Sequence, residues 1–267
     1  MLITITILAL LVAAALAVSP RFGECLYRRM IFAPVKCDAG DADVVFASGK
    51  NTLHGVFHRQ PGSRYTVIFS HSNWGNIHEW QRLAKQLHSC GVQVFAYDYR
   101  GYGASTGVPS VKGLCQDGVA AYDYLVNVEK IPANQIVLFG SSLGTGVTSA
   151  IARARPCAGI ILHAAFSSLR NLVLDMMPAT RYLPQVLFFR PKFDNAAILK
   201  ELRTPLLLVH GEYDEMADPS HAQAIYAASA NSNKTLVILP GAAHMQTAVD
   251  DNLFETSVTT FLQSLKS

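Results

Sequence analysis

Three residues of this sequence have the types and spacing of a nucleophile, an acid and a base. The nucleophile is Ser142, within Gly140-Ser141-Ser142-Leu143-Gly144. That stretch follows the apolar run Gln135–Phe139 and precedes a small-residue helical pattern, Leu143 to Ala154, which ends before Pro156. A G-x-S-x-G between a strand and a helix is a nucleophile elbow. The turn is so tight that the serine backbone is strained, and the residues two before and two after it must lack side chains that would clash. Gly140 and Gly144 meet that need. The frame selects Ser142 over Ser141, because a frame on Ser141 would put Leu143 where the second glycine belongs. Ser142 also opens a helix, whose dipole favours a developing anion. A Gly/Ser-rich turn with no chemistry is the plainer alternative, and the strand before and helix after argue against it.

A serine hydroxyl is a weak nucleophile at neutral pH and needs a base, which in turn needs an orienting carboxylate. In a strand–elbow–helix arrangement of this kind the order along the chain is Ser, acid, His. The acid is expected just beyond the strand-like run Pro205–His210, where the chain reads HGEYDEMAD, residues 210–218. Asp214 is the choice, with Glu212, Glu215 and Asp218 as rivals that could equally be solvated loop charges. The base is expected after the last strand-like run, Thr235–Leu239. His244, behind Pro240-Gly241-Ala242-Ala243, is the only histidine there. A lone histidine is more often a surface or core residue, and its place in the order is what singles it out. Acyl transfer also needs donors for a tetrahedral oxyanion, worth about 2.7–4 kcal/mol each. The Leu143 N–H, next to the nucleophile, is one candidate. The Asn73 N–H, in the loop His71-Ser72-Asn73-Trp74-Gly75-Asn76, is the other.

The elements that would carry these residues alternate. Short apolar runs at Thr66–Ser70, Val92–Tyr97, Gln135–Phe139, Gly159–Leu162, Pro205–His210 and Thr235–Leu239 read as strands buried on both faces. Val44–Phe46 and Leu53–His58 read as an antiparallel start. Between them, Ile77, Trp80, Leu83/Ala84 and Leu87 recur at helical spacing. So do Val111, Leu114/Cys115, Tyr122 and Leu125/Val126, and later Phe254, Val258, Phe261 and Leu265. These stripes are core faces rather than ligand sites. The alternation predicts an open, mostly parallel α/β sheet with helices on its faces. Residues 166–200 break the rhythm with Met176, Met177, Pro178, Leu183, Pro184, Phe188, Phe189 and Pro191, as an inserted lid would.

Residues 2–18 carry no charge, a run near the short limit of about 17 residues for a membrane-spanning helix. Residues 1–19 are therefore a transmembrane anchor or a signal segment, and 20–43 a membrane-proximal lead-in. Arg21, Arg28 and Arg29 follow the run and no Lys or Arg precedes it. For an anchor, the positive-inside rule puts the catalytic domain, residues 44–267, on the cytoplasmic side. Ala15-Leu16-Ala17 would serve as a cleavage site if the segment were a signal and the protein exported.

The chain has 267 residues, half of them hydrophobic and 15% charged, which excludes intrinsic disorder. Such a chain buries about three quarters of its unfolded surface without needing disulfides. Lys and Arg number 22 against 19 Asp and Glu, with no long block of like charge, so no nucleic-acid partner is expected. The five cysteines are Cys25, Cys37, Cys90, Cys115 and Cys157. They are odd in number and form no C-x-x-C pair, so free thiols are expected and a metal site is not. No P-loop or dinucleotide fingerprint implies a cofactor.

These pieces together resemble the α/β-hydrolase superfamily. The similarity is greatest to its small, membrane-anchored serine-hydrolase branch, related to the prolyl-oligopeptidase-like and dienelactone-hydrolase-like proteins. Tyr97 to Ser105 (YDYRGYGAS) resembles the superfamily's D-x-R-G-x-G-x-S loop, which braces the site beside the oxyanion loop. The lead-in YRRMIFAP also looks like this branch. The resemblance spans about Val44 to Leu265. It implies an eight-stranded, mostly parallel sheet flanked by helices, with Ser142, Asp214 and His244 on the triad positions. One position departs: the superfamily's oxyanion loop usually reads His-Gly-x, and here Ser72 follows His71. Glycine tolerates positive φ and serine does so poorly. Either the loop takes another path or Ser72 faces the site.

Three functions compete. The first is a serine hydrolase of carboxylic esters or thioesters, with a small-molecule or lipid-like acyl substrate. The second is a serine peptidase, which needs a group to bind a peptide amine or carboxylate. Residues 166–200 offer only Asp175 and Asp194 as acids. The third is a non-catalytic binding protein on the same fold. Such proteins usually lose a triad member, and here all three are present.

Overall fold

The computed structural model describes residues 31–40, 42–178, 181, 193–247 and 251–265. The expected anchor, the first part of the lead-in and Leu183, Pro184, Phe188, Phe189 and Pro191 of the expected lid lie outside those residues. Among the described residues no helix is long and apolar enough to cross a membrane.

An eight-stranded sheet forms the middle layer, in the order β10-β9-β8-β7-β4-β6-β3-β2. Its strands are β2 (Val44–Ser48), β3 (Asn51–His58), β4 (Thr66–Ser70), β6 (Gln93–Tyr97), β7 (Ile136–Ser141), β8 (Gly159–His163), β9 (Leu206–Gly211) and β10 (Lys234–Leu239). The first hairpin is antiparallel, β3 runs antiparallel to β6, and every other pairing is parallel. This is the α/β-hydrolase fold. Strands β4, β7 and β8 have every residue buried, which is why they read as continuous apolar runs.

Side-chain alternation divides the core. Ile68 and Leu138 point to one face, where they meet Leu114 and Leu125 of α2 (Val111–Asn127) and Val147 and Ile151 of α3 (Leu143–Ala154). Val67, Phe69, Val137 and Phe139 point to the other face, against Leu83 and Leu87 of α1 (Gln81–Ser89) and Phe254, Val258 and Phe261 of α7 (Asp251–Ser264). The period of two along each strand makes both faces apolar at once.

Helix α1 starts at Gln81, later than the stripe from Ile77 suggests. The cause is tertiary: the Ile77 N–H donates to Asp98 Oδ1 over 2.8 Å and the His78 N–H to Asn76 Oδ1 over 2.9 Å, so residues 77–80 form turns. A two-stranded parallel ribbon pairs β1 (Ala33–Pro34) with β5 (Trp74–Gly75), joining the lead-in to the loop after β4. Neither short strand has a periodic signal. The region expected as a lid holds α4 (Leu169–Met176) and α5 (Asn195–Glu201), capped by Ser168 and Asp194 side chains. Helix α6 (Ser220–Ala228), which no clear stripe announced, follows β9. The four described cysteines are free.

Candidate active site

The residues singled out for chemistry lie at the C-terminal ends of the parallel strands, on loops except for Leu143, which opens a helix; this is the edge where open α/β sheets bind ligands. Ser142 follows β7, Asp214 follows β9, His244 follows β10 and Asn73 follows β4.

The elbow has the strained geometry its sequence demands. Ser142 sits at φ 50°, ψ −115°, and its N–H donates to the His163 carbonyl over 2.9 Å. A Cβ on Gly140 would stand 2.5 Å from the Gly144 carbonyl oxygen. One on Gly144 would collide with the Ser70 carbonyl and stand 2.6 Å from that of His71. The two glycines let α3 start directly on top of the ends of β4 and β7. Leu143 is the first residue of α3, so its N–H has no intrahelical acceptor.

The structure brings Ser142, His244 and Asp214 into one hydrogen-bonded chain. The Ser142 hydroxyl donates to His244 Nε2 over 3.0 Å. His244 Nδ1–H donates to Asp214, 2.7 Å from Oδ2 and 2.8 Å from Oδ1. A carboxylate is acceptor-only, so the tautomer follows from this partner. Asp214 is buried, and its Oδ1 also accepts from the N–H groups of Met216 (3.0 Å) and Ala217 (2.8 Å). Burial alone would raise this carboxyl. Hydrogen bonds from His210, His244 and the Ala217 N–H outweigh burial and hold it well below the usual carboxylate range.

The rival acids are turned elsewhere. Glu212 accepts from the Gly241 N–H over 2.9 Å, Asp218 accepts from the Ser220 N–H over 2.8 Å, and Glu215 is exposed. Sequence reasoning missed two neighbours of Asp214. One is Gly211, whose lack of a side chain lets residues 242–243 pass beneath His244. A glycine ending a buried strand is a signal that could have found it. The other is His210, buried with its Nε2 3.2 Å from Asp214 Oδ2.

The loop after β4 that carries Asn73 is braced from two sides. The Asn73 carbonyl accepts from the Tyr102 hydroxyl (2.8 Å) and the Ala33 N–H (2.9 Å), and the Asn73 amide donates to the Ile31 carbonyl (3.0 Å). Asp98 faces His71 Nε2 at 3.4 Å. Arg100, from the same YDYRGYGAS stretch, grips the buried Asp117 of α2 through Nε and Nη2. Ser72 is buried and its φ is negative, so this loop takes a path that needs no glycine there. The Ser72 hydroxyl donates to Asn73 Oδ1 over 3.2 Å and its carbonyl accepts from His71 Nδ1 over 2.7 Å.

Among the described residues only Lys130, Ser142, Ala164 and Met245 are non-glycine residues at positive φ. Three of these follow β7, β8 and the β10 loop directly, so the strain gathers at this edge. Among the described residues no group of three or more His, Cys, Asp or Glu is placed to hold a metal ion.

A sequence model of the Hydrolase_4 family, described as serine aminopeptidase, S33, matches residues 61–193 and 193–250. The chain belongs to this family. It is a hydrolase of the α/β-hydrolase superfamily. It is 29% identical over 228 residues to an uncharacterised protein of Mycobacterium tuberculosis, covering 81% of this chain and 80% of that one. It is 35% identical over 167 residues to alpha/beta hydrolase domain-containing protein 17C of Xenopus tropicalis, covering 62% of this chain and 52% of the frog protein. This hydrolase thus spans about half the length of that relative. Its fold is similar to that of the Pyrococcus furiosus esterase PF2001, with a TM-score of 0.73 at 20% identity, covering 89% of this chain and 99% of the esterase.

Proposed function

We propose that this hydrolase is a serine esterase or thioesterase that works through Ser142, His244 and Asp214. The reading rests on one observation above the others: Ser142 Oγ lies 3.0 Å from His244 Nε2, whose Nδ1 lies 2.7 Å from Asp214. Ser142 Oγ attacks the substrate carbonyl carbon as its proton passes to His244 Nε2. The tetrahedral oxyanion is held by the Leu143 N–H at the start of α3 and by the Asn73 N–H. On collapse His244 returns the proton to the leaving alcohol or thiol, and Asp214 stabilises the imidazolium that forms in between. Water, deprotonated by His244, then releases the acyl group from Ser142.

The reading extends to lipid-like acyl groups on the apolar character of residues 166–200. Met176 and Met177, at the end of α4, are 56% and 47% exposed. A cavity of about 370 Å³ opens beside the residues that follow His244, lined by Glu79, Trp80, Leu83, Gln86, Met245 and Thr247, and its walls mix polar and apolar groups. Residues 1–19 act as a membrane anchor in this reading, with residues 44–267 as the catalytic domain on the cytoplasmic side. The small, membrane-anchored branch of the superfamily is the subgroup this reading favours.

The family description favours a second reading, a serine aminopeptidase, which must hold a substrate ammonium. The two acids of residues 166–200 are occupied otherwise: Asp175 lies 2.9 Å from His221 Nε2 and Asp194 caps α5 at the Ala197 N–H. That leaves the ester reading ahead.

Labelling by a fluorophosphonate probe tests the nucleophile, with wild type and Ser142→Ala compared in detergent. Labelling of the wild type alone supports the reading, and an acyl-ester series against aminoacyl amides then separates its two forms. Folded wild type that never labels overturns it in favour of a binding protein.

A further inference from the structure

His210 is the last-but-one residue of β9, is 0% exposed, and has no part in the three-residue chain. Its Nε2 lies 2.6 Å from the Ala217 carbonyl oxygen and 3.2 Å from Asp214 Oδ2. Both partners are acceptors only, so Nε2 carries the proton and faces the two together. The other ring nitrogen, Nδ1, is buried without a hydrogen-bond partner among the described residues. Nε2 is therefore the nitrogen of the ring whose N–H is answered, and Nδ1 the one left bare.

We propose that His210 is a positioning residue of this site: its single N–H clasps the 214–217 turn and the Asp214 carboxylate at once, and competes with His244 for that carboxylate. The inference rests on the triad reading above and deepens it. Without His210 the Asp214 turn keeps its two backbone donors, from Met216 and Ala217, on Oδ1. Oδ2 is left with His244 as its one hydrogen-bonding partner among the contacts described, at 2.7 Å. The carboxylate charge is then less shared, and the His244 imidazolium is held more strongly.

The groups facing His210 come from every element around it. Asp214 and Asp218 follow its own strand, His163 ends β8, His221 lies on α6 and His244 arrives from the β10 loop. Burial lowers both His163 and His221. Burial thus disfavours the charged form of both rings, and the readout belongs to the Asp214–His244 pair.

The experiment measures the rate of fluorophosphonate labelling against pH for the full-length wild type, His210→Gln and His210→Phe. Glutamine keeps a donor within reach of the turn, and phenylalanine keeps the bulk but has none. The expected result is a near-wild-type profile for His210→Gln. For His210→Phe the acid limb moves to higher pH by about half a unit or more. A merely structural role loosens the Asp214–His244 contact, which leaves the limb in place or moves it to lower pH. That result, or a His210→Phe profile equal to wild type, overturns the inference while the triad reading stands. Wild type that does not label defeats the triad reading itself, and this inference with it. Thermal unfolding of each variant, read by circular dichroism, confirms that rates are compared between folded proteins. If His210→Phe does not fold, His210→Leu takes its place.

Discussion

Gly211 and Ala242 approach so closely that a Cβ on Gly211 would stand 2.5 Å from the Ala242 carbonyl oxygen. The same Cβ would stand 2.7 Å from the Ala243 carbonyl. Gly211 ends the strand that leads to Asp214, and Ala243 precedes His244. The contact therefore sets how near the acid and the base can come. Gly211→Ala is expected to push the two loops apart, destabilising the fold by about 1–3 kcal/mol and slowing labelling by about 10²-fold, the cost of a displacement near 1 Å. Urea unfolding and labelling rates check the two effects separately. A labelling rate unchanged from wild type would mean that the contact has no bearing on the site.

Asp214→Asn is expected to slow acyl-ester turnover by about 10⁴-fold, because an amide can hold the wrong His244 tautomer. Steady-state hydrolysis of a short-chain ester is the measurement. A loss smaller than tenfold would hand the role to another carboxylate, and Glu212→Gln would be the next variant.

Two ion pairs should differ sharply in worth. Asp117 is buried and receives the Arg100 backbone N–H and two of its guanidinium nitrogens. Removing one partner of a buried pair leaves the other uncompensated, so Asp117→Ala is expected to cost about 3–5 kcal/mol. Asp123 pairs with Arg155 where both side chains are more than a third exposed, and Asp123→Ala should cost no more than about 1 kcal/mol. Chemical denaturation of the two variants under one buffer decides the contrast.

Stability should fall with acid well before the carboxylates titrate. Burial, with the nearby His210 and His244, pushes the His163 ring down to about 3. In the unfolded chain the same ring titrates near its ordinary value of about 6.5. Above that pH the ring is neutral in both states and contributes nothing to the slope. As pH falls from about 6.5 towards 3, only the unfolded state takes the proton, and stability drops by up to about 1.4 kcal/mol per pH unit from this group. His58 and His221, also lowered by burial, add to the slope. Asp214 adds a further loss below about 4, where the unfolded carboxyl protonates and the folded one resists. Unfolding free energies measured from pH 7 to 4 should show a shallower slope in His163→Phe than in wild type. Equal slopes would mean that His163 charges freely in the native state.

The strands were legible because burial on both faces leaves them nearly all apolar, with polar residues such as Ser70, Ser141, His163 and His210 only near their ends. Thr66–Ser70 was read with the ends it has, and the helix Leu143–Ala154 likewise. What escaped was set by partners distant in the chain. The start of α1 depends on Asp98 capturing the Ile77 N–H, the ribbon of β1 and β5 depends on two segments meeting, and α6 buries only His221, Ala222 and Ile225.

The candidate site divides in the same way. The elbow is a local matter: Gly140, Ser142 and Gly144 lie within one turn, and hard-sphere contacts inside that turn dictate which residues can stand there. The sequence alone therefore names Ser142. Which carboxylate meets His244, and which histidine lies beneath that carboxylate, is decided across 30 residues of chain, and the meeting with Ser142 across 102. Glu212, Asp214, Glu215 and Asp218 are chemically alike and close in sequence. Only the parallel pairing of β10 beside β9, with Gly211 open to residues 242–243, turns one of them inward and leaves the others to loop backbone and solvent.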